Sequence, residues 1–225
     1  QKPSLRTAPW RALLSSLPVH SIMLCSFAFG FSTSTMQAFL PTYMREHLAL
    51  PVDKIGLYTL APFAAQVVGK TICGPFTDYV ARRGFLSLTM ATKIAQSFGS
   101  FGAAGALMAF AYFPTCSNPG SALPILLTYG FVYAGGVCGF FTSLLTIAPK
   151  YTGTLSALCQ LFSMLACIAS SSLVTSLTSM ETPYKWPIVF GTASILQASA
   201  GVHYLFFGST EKQYWSEGEK KESSS

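Results

Sequence analysis

The sequence predicts an all-α multi-pass membrane protein with six transmembrane helices. Only 10% of its 225 residues are charged, whereas a soluble domain carries about a quarter, and 51% are hydrophobic. Residues 12–44 and 94–149 contain no Asp, Glu, Lys or Arg at all. One crossing takes roughly 20 apolar residues, so the first stretch accommodates one helix and the second accommodates two. This composition excludes a soluble enzyme and a disordered chain.

The helix boundaries follow from the apolar runs and from the charged, Pro or Gly residues that interrupt them. A turn cluster at 114–120 divides the longer charge-free stretch. We expect an arm at 1–16, a six-helix bundle at 17–208 and a tail at 209–225. The predicted helices, each long enough to span with some tilt, are 17–44, 55–78, 85–112, 122–149, 153–179 and 186–208.

The orientation follows from the basic residues, because six crossings put both termini on one side and cytoplasmic segments carry the excess of Lys and Arg. Nine of the 14 Lys and Arg lie in the arm, the 79–84 loop, the 150–152 turn and the tail. Both termini are therefore predicted to be cytoplasmic, in a plasma, vesicle or lysosome membrane. The net charge of +6 is then explained by the orientation of the protein in a lipid bilayer. It does not indicate a nucleic-acid partner.

An internal repeat is indicated by the ends of two helices. The first closes with Pro41-Thr42-Tyr43 and the fourth with Pro149-Lys150-Tyr151. The first and fourth helices would each begin a three-helix unit. Because a unit of three helices crosses the membrane an odd number of times, the second unit is inverted in the membrane relative to the first. Such a 3+3 inverted repeat is the plan of one half of a major facilitator transporter.

Lys70 is the most informative single residue, because a basic group within a span costs about 2.5 to 3.5 kcal/mol on insertion scales. Phe63, Gln66 and Lys70 are spaced i, i+3, i+7 and share one helical face. We expect this face to line a substrate cavity, although Lys70 reaching the headgroups is an alternative. Thr33 and Gln37 on the first helix are expected to face the same cavity, unless such hydroxyls only bond their own helix.

A conformational latch is the second candidate site, in the loop after the second helix. Asp78 and Arg82 stand four residues apart and can pair at a helix end. Gly74 permits close approach of a neighbouring backbone, and Arg83 adds a second cation. An ordinary positive-inside loop is the alternative interpretation.

Several strings, in their order and spacing, resemble the solute carrier family 17 anion transporters, which include the vesicular glutamate carriers, sialin and sodium-phosphate cotransporter-like proteins. They are Phe39-Leu40-Pro41-Thr42-Tyr43, Leu60-Ala61-Pro62, Ile147-Ala148-Pro149-Lys150-Tyr151 and Glu211-Lys212-Gln213-Tyr214-Trp215. The resemblance implies the C-terminal six helices of a twelve-helix transporter, with an N-terminal six-helix half as the missing partner; a chain that begins with Gln1 agrees with this. It also implies a small anionic solute, alternating access, and sodium or a proton as coupling ion without another cofactor.

The chain departs from that family at positions that would contact the solute. The vesicular glutamate carriers have a charged residue where this chain has Phe29, a His where it has Phe63, and another His where it has Leu144. We therefore expect a more apolar cavity, with Lys70 supplying the positive charge. No acidic residue is expected within a span, since Asp78 lies at an edge.

The sequence also bears on two classes of function other than transport. The sequence lacks catalytic motifs and metal-ligand spacing, which indicates that the protein is not an enzyme. A truncated six-span membrane protein with a regulatory or structural role and no transport activity remains the alternative.

Overall fold

The computed structural model describes residues 9–180 and 182–216. Over these residues the chain forms one short helix followed by six long ones. Short 3-10 turns precede α5, precede α6 and end the described tail. The helices are α1 (Trp10–Leu14), α2 (Leu17–Glu46), α3 (Val52–Arg82), α4 (Leu88–Tyr112), α5 (Ala122–Thr146), α6 (Thr152–Ser179) and α7 (Lys185–Phe207).

Five of the six long helices in the described chain are long and apolar enough to cross a membrane. The exception is α3, which has 31 residues but carries Gln66, Lys70 and Asp78 among its apolar side chains. Helices of this length exceed the roughly 30 Å of bilayer hydrocarbon. The predicted all-α multi-pass fold is confirmed, with α3 as its polar member.

The most extensive helix contacts follow a repeating pattern. α2 packs on α6 and α7, α5 packs on α3 and α4, and α4 packs on α7. Exchanging α2 with α5, α3 with α6 and α4 with α7 leaves this set of pairs unchanged. The packing therefore has the symmetry expected of two copies of a three-helix unit, as in half of a major facilitator fold.

Small residues stand where the helices approach most closely. A Cβ added to Gly99 of α4 would lie 2.1 Å from the backbone nitrogen of Gly136 in α5. A Cβ added to Gly30 of α2 would lie 2.6 Å from the hydroxyl oxygen of Ser163 in α6. Packing of this kind stabilises helix pairs in lipid, where apolar side chains gain little by leaving their surroundings.

One end of the bundle, here called the aromatic end, is closed by Tyr43, Phe110, Trp186 and Phe190. Tyr43 is fully buried, and its ring centroid lies 4.9 to 5.3 Å from those of the other three. Trp186 is only 4% exposed because it packs in this cluster. The cluster joins α2, α4 and α7.

The opposite end, here called the tail end, is where the described tail crosses the bundle. The backbone N–H of Gln213 donates to the carbonyl of Ile147 after α5 (3.0 Å), and that of Thr210 donates to the Thr89 hydroxyl in α4 (3.2 Å). The expected arm contains α1, with Leu13 fully buried. Residues 1–8 and 217–225 of the predicted arm and tail lie outside the described residues.

The structure corrects the boundary between the second and third spans. α3 continues to Arg82, so the expected loop at 79–84 is mostly helix. It stops at Gly84, which has a φ of 73° and donates its N–H to Ala81 (3.2 Å). Glycine adopts this left-handed conformation at little cost and commonly ends helices. α4 begins at Leu88, three residues later than expected, where the Ser87 hydroxyl caps it.

Smaller corrections apply at the other helix ends. α2 runs two residues beyond the expected end, to Glu46. α5 ends at Thr146 because Pro149, which lacks a backbone N–H, begins a 3-10 turn instead. The boundaries of α6 and α7 lie within one residue of expectation.

Candidate functional site

A cavity of about 530 Å³ lies among α2, α3, α5 and α6. Its volume is within the roughly 300 to 1,000 Å³ typical of small-molecule sites. The structure brings all seven residues proposed from sequence for the substrate cavity into its lining. These are Phe29, Thr33, Gln37, Phe63, Gln66, Lys70 and Leu144. That they bind a solute stays a prediction.

One wall of the cavity, the α2–α6 wall, is polar and uncharged. The two helices contribute lining residues at the same helical spacing of i, i+4, i+7, i+11, so each presents a single face. These residues are Ser26, Gly30, Thr33 and Gln37 on α2, and Ser156, Gln160, Ser163 and Cys167 on α6.

The other wall, the α3–α5 wall, combines aromatic rings with the one charged side chain that lines the cavity within the described chain. Tyr133 and Phe140 of α5 lie beside Phe29, at ring centroid distances of 4.7 and 5.5 Å. The Tyr133 hydroxyl forms a hydrogen bond with the Thr33 hydroxyl, which therefore joins the two walls. From α3, Gln66 and Lys70 face the same space.

Lys70 is the one charged side chain among the described residues that line this cavity. It is exposed and forms no ion pair with a carboxylate in the described chain. Lys70 also lines an adjacent cavity of about 290 Å³ together with Gly74, Thr77 and Asp78. Lys93, the other basic residue expected within a span, lies outside both cavities.

Several polar side chains of the cavity lack partners within the described protein. Gln37, Gln66 and Gln160 form no hydrogen bond with any described residue. The Ser26 hydroxyl is buried, at 5% exposure for the residue, and is likewise unsatisfied. Of these groups only the Ser26 hydroxyl is buried, whereas Gln37 and Gln160 are exposed and Gln66 is partly buried, so all four are available to hydrogen bond with a solute or water.

The cavity lies at mid-height on α2 and α3 and extends toward the tail end on α5 and α6. Its lining covers 26–37 in α2, 133–144 in α5 and 156–167 in α6. These segments belong to the halves of α5 and α6 that adjoin the turn at 147–151. The Tyr43 cluster closes the bundle beyond them.

Comparison with known proteins places this arrangement in a family. Residues 1–171 match the family model described as Major Facilitator Superfamily. The chain belongs to this superfamily. Its integral membrane character follows from that membership together with the apolar helices.

Within the superfamily the chain is similar to transporters of the solute carrier family 17 type. It is 30% identical over 214 residues to the uncharacterized transporter slc-17.3 of Caenorhabditis elegans, covering 95% of this chain and 40% of that protein. It is 31% identical to a putative inorganic phosphate cotransporter of Drosophila ananassae (95% and 45%) and 28% identical to vesicular glutamate transporter 3 of Danio rerio (94% and 35%). The chain spans less than half the length of each of these relatives. The resemblance predicted from sequence is confirmed.

The residues proposed as a latch in this member of the superfamily do not form the expected loop. Gly74 and Asp78 lie inside α3, Arg82 ends it and Arg83 follows. No ion pair joins Asp78 to Arg82 within the described residues, so the expected pairing is wrong. Instead the Arg83 guanidinium lies 5.4 Å from the Tyr79 ring centroid. The latch itself stays a prediction.

Two further details of that segment differ from expectation. A Cβ on Gly74 would meet only the Cys138 sulfur at 3.8 Å, an ordinary contact, so no backbone approaches unusually closely there. Asp78 lies about one turn inside α3 and lines a cavity, whereas no acidic residue was expected within a span. The helix extends past Asp78 because nothing before Gly84 ends it.

Sequence reasoning missed the α6 face, Ser26, and the α5 residues Tyr133 and Phe140. The α6 face carried a usable signal, since Ser156, Gln160 and Ser163 recur at helical spacing in an otherwise apolar helix. The α5 residues carried none, because aromatic side chains are equally common on lipid-facing helix surfaces.

Proposed function

We propose that this chain forms one side of the solute pathway of a secondary active transporter that moves small anions by alternating access. The observation that carries the proposal is the 530 Å³ cavity whose described lining has Lys70 as its one charged side chain. A fixed cation with apolar surroundings attracts anions more strongly than one in bulk water. The names of the relatives, which include inorganic phosphate and glutamate transporters, agree with an anionic solute.

Each wall would contribute a different kind of contact. Lys70 and Gln66 would bind the anionic group from α3, and Gln37 would hydrogen bond from α2. Gln160 and Ser163 face the same space from α6. Phe29, Phe63 and Leu144 would limit water around the solute and so strengthen its contact with Lys70.

The orientation and partners belong to the same proposal. Both termini would be cytoplasmic, since the tail and the loops that carry Arg83 and Lys150 gather at the tail end. The α5 and α6 parts of the cavity would then be nearer the cytoplasm. A second six-helix half would cover its exposed side, and sodium or a proton would supply the driving force.

Uptake into proteoliposomes tests the role of Lys70. We expect Lys70→Gln to lower the kcat/KM for radiolabelled phosphate or glutamate about tenfold or more, since a charged hydrogen bond contributes about 1.5 to 3 kcal/mol. Lys93→Gln, which removes a basic group outside the cavity, should stay within about twofold of wild type.

Two results would count against the proposal. Equal uptake by Lys70→Gln and wild type would remove Lys70 from the pathway. A folded wild-type protein that includes the second six-helix half and still takes up neither anion would favour the alternative of a six-span protein with a structural or regulatory role.

A further inference from the structure

A separate groove of about 320 Å³ lies between α3 and α4, bounded on the inside by Gly135 of α5. It shares no lining residue with the 530 Å³ cavity. α3 contributes Cys73, Phe76 and Val80, and α4 contributes Ile94 and Phe98. No role in solute binding is therefore expected for this groove.

The groove is apolar and makes no hydrogen-bonding demand on an occupant. The Thr77 hydroxyl, its main polar group, already donates to the carbonyl of Cys73 at 2.8 Å. Phe76, Ile94 and Phe98 are 65%, 53% and 50% exposed, so the groove opens outward from the bundle. In a membrane-spanning helix pair, such a surface is in contact with lipid hydrocarbon.

A positive charge follows the groove residues of α3 in the chain, at the tail end of that helix. Phe76, Val80 and Arg83 are spaced i, i+4, i+7, so Arg83 continues the helical face that lines the groove. Its guanidinium lies over the Tyr79 ring and forms no ion pair with a described carboxylate. Stacking on a ring leaves the N–H donors at the edge of a guanidinium able to bind an oxyanion.

We propose that this groove binds an acyl chain of an anionic phospholipid, with the lipid phosphate on Arg83. Arginine donates two parallel N–H bonds to phosphate oxygens, and basic residues next to a membrane span attract anionic lipids. The apolar groove and the cation lie in the order in which an acyl chain and its headgroup phosphate lie across a leaflet. A soluble phosphate would leave the groove empty, and an uncharged lipid headgroup would leave Arg83 without a counter-charge.

Native mass spectrometry of the purified protein in detergent tests the proposal with three probes. These are dioleoylphosphatidylglycerol, dioleoylphosphatidylcholine and glycerol phosphate, the last providing the charge without acyl chains. We expect retention of one phosphatidylglycerol at concentrations where phosphatidylcholine is lost and glycerol phosphate does not bind. A matching rise in thermal unfolding midpoint should accompany phosphatidylglycerol alone.

Variants separate the charge from the groove. Arg83→Gln should weaken phosphatidylglycerol binding about fivefold, while Arg83→Lys retains most of it. Ala95→Phe, which fills the groove, should weaken it as well. Lys212→Gln removes an exposed charge from the described tail, at the same end but outside the groove, and should change nothing.

The proposal is overturned if both phospholipids bind alike, or if glycerol phosphate binds as well as the lipid. Equal losses in Arg83→Gln and Lys212→Gln would also overturn it, since they would indicate general surface charge. If Ala95→Phe does not fold, the Arg83 variants and the three probes still decide the outcome.

Discussion

The α4 helix on one side and the α3 and α6 helices on the other use glutamine in different ways. Gln96 of α4 is fully buried, donates to the Ser100 hydroxyl at 2.8 Å and accepts a bond from the Phe140 backbone N–H at 3.1 Å. Gln66 of α3 and Gln160 of α6 line the cavity without a partner among the described residues. A polar residue in a span is therefore not by itself evidence of a solute site. Its lack of an internal partner is the stronger evidence.

The helices also differ in how much of each is buried, with α3 mostly exposed and α4 mostly packed. Only Ala61, Pro62, Gly69 and Thr77 of α3 are buried, although the helix has 31 residues. The shorter α4 buries far more of its length, because it packs against both α5 and α7. We therefore expect substitutions on α4 to affect stability and those on α3 and α6 to affect transport.

The largest expected effect is on stability, from Gly99→Ala on the packed α4 side. The added Cβ would lie 2.1 Å from the Gly136 nitrogen, and relieving such a clash costs about 1 to 3 kcal/mol. The matched control is Gly105→Ala on the same helix, where the Cβ meets nothing within 4 Å. It should be neutral or stabilising by up to about 1 kcal/mol. Thermal unfolding in detergent measures both, and equal midpoints would contradict the packing of α4 on α5.

The glutamines themselves provide the next test. Gln96→Leu removes the bonds to the Ser100 hydroxyl and to the Phe140 backbone N–H and should destabilise the protein by about 1 to 2 kcal/mol. Gln160→Leu should change the unfolding midpoint little but lower solute uptake, since its amide has no structural partner. Destabilisation by Gln160→Leu equal to that by Gln96→Leu would remove the distinction between the two sides.

The smallest expected effect is at the aromatic end, where Glu46 and Lys185 form an ion pair of 2.9 Å. Their side chains are 43% and 16% exposed, so solvent screens the attraction. Glu46→Gln should cost less than about 1 kcal/mol of stability, and less still at high salt. A larger loss would mean that this pair, and not the Tyr43 cluster, holds α2 to α7.

The sequence contained the fold class and the α3 face, because charge-free stretches and i, i+3, i+7 spacing are properties of the chain alone. It did not predict that Asp78 and Arg82 stay unpaired with each other. An ion pair between residues four apart in a helix contributes only about 0.2 to 0.5 kcal/mol, so the spacing allows the pair without making it form. Gly84 marks the end of α3 in the sequence. The expected loop instead begins at residue 79, because Arg82 and Arg83 are typical of a charged loop.

The contacts of the tail and of α6 were beyond sequence reasoning for a different reason. Gln213 bonds Ile147 and Ser163 meets Gly30 across long separations in the chain. Which face of an apolar helix turns toward a cavity depends on such neighbours. The polar spacing in α6 marks one face of the helix, but the sequence does not say which other helices that face meets.

The helices of each three-helix unit pack mainly on helices of the other unit, and this affects the order in which the protein can fold during synthesis. α3, the most polar long helix, packs mainly on α5, which is synthesised later. During translation α3 must therefore wait for α5 before it gains its main neighbour, while α2 and α4 complete their contacts only with α6 and α7. Neither unit is a finished folding module, because each takes most of its helix contacts from the other.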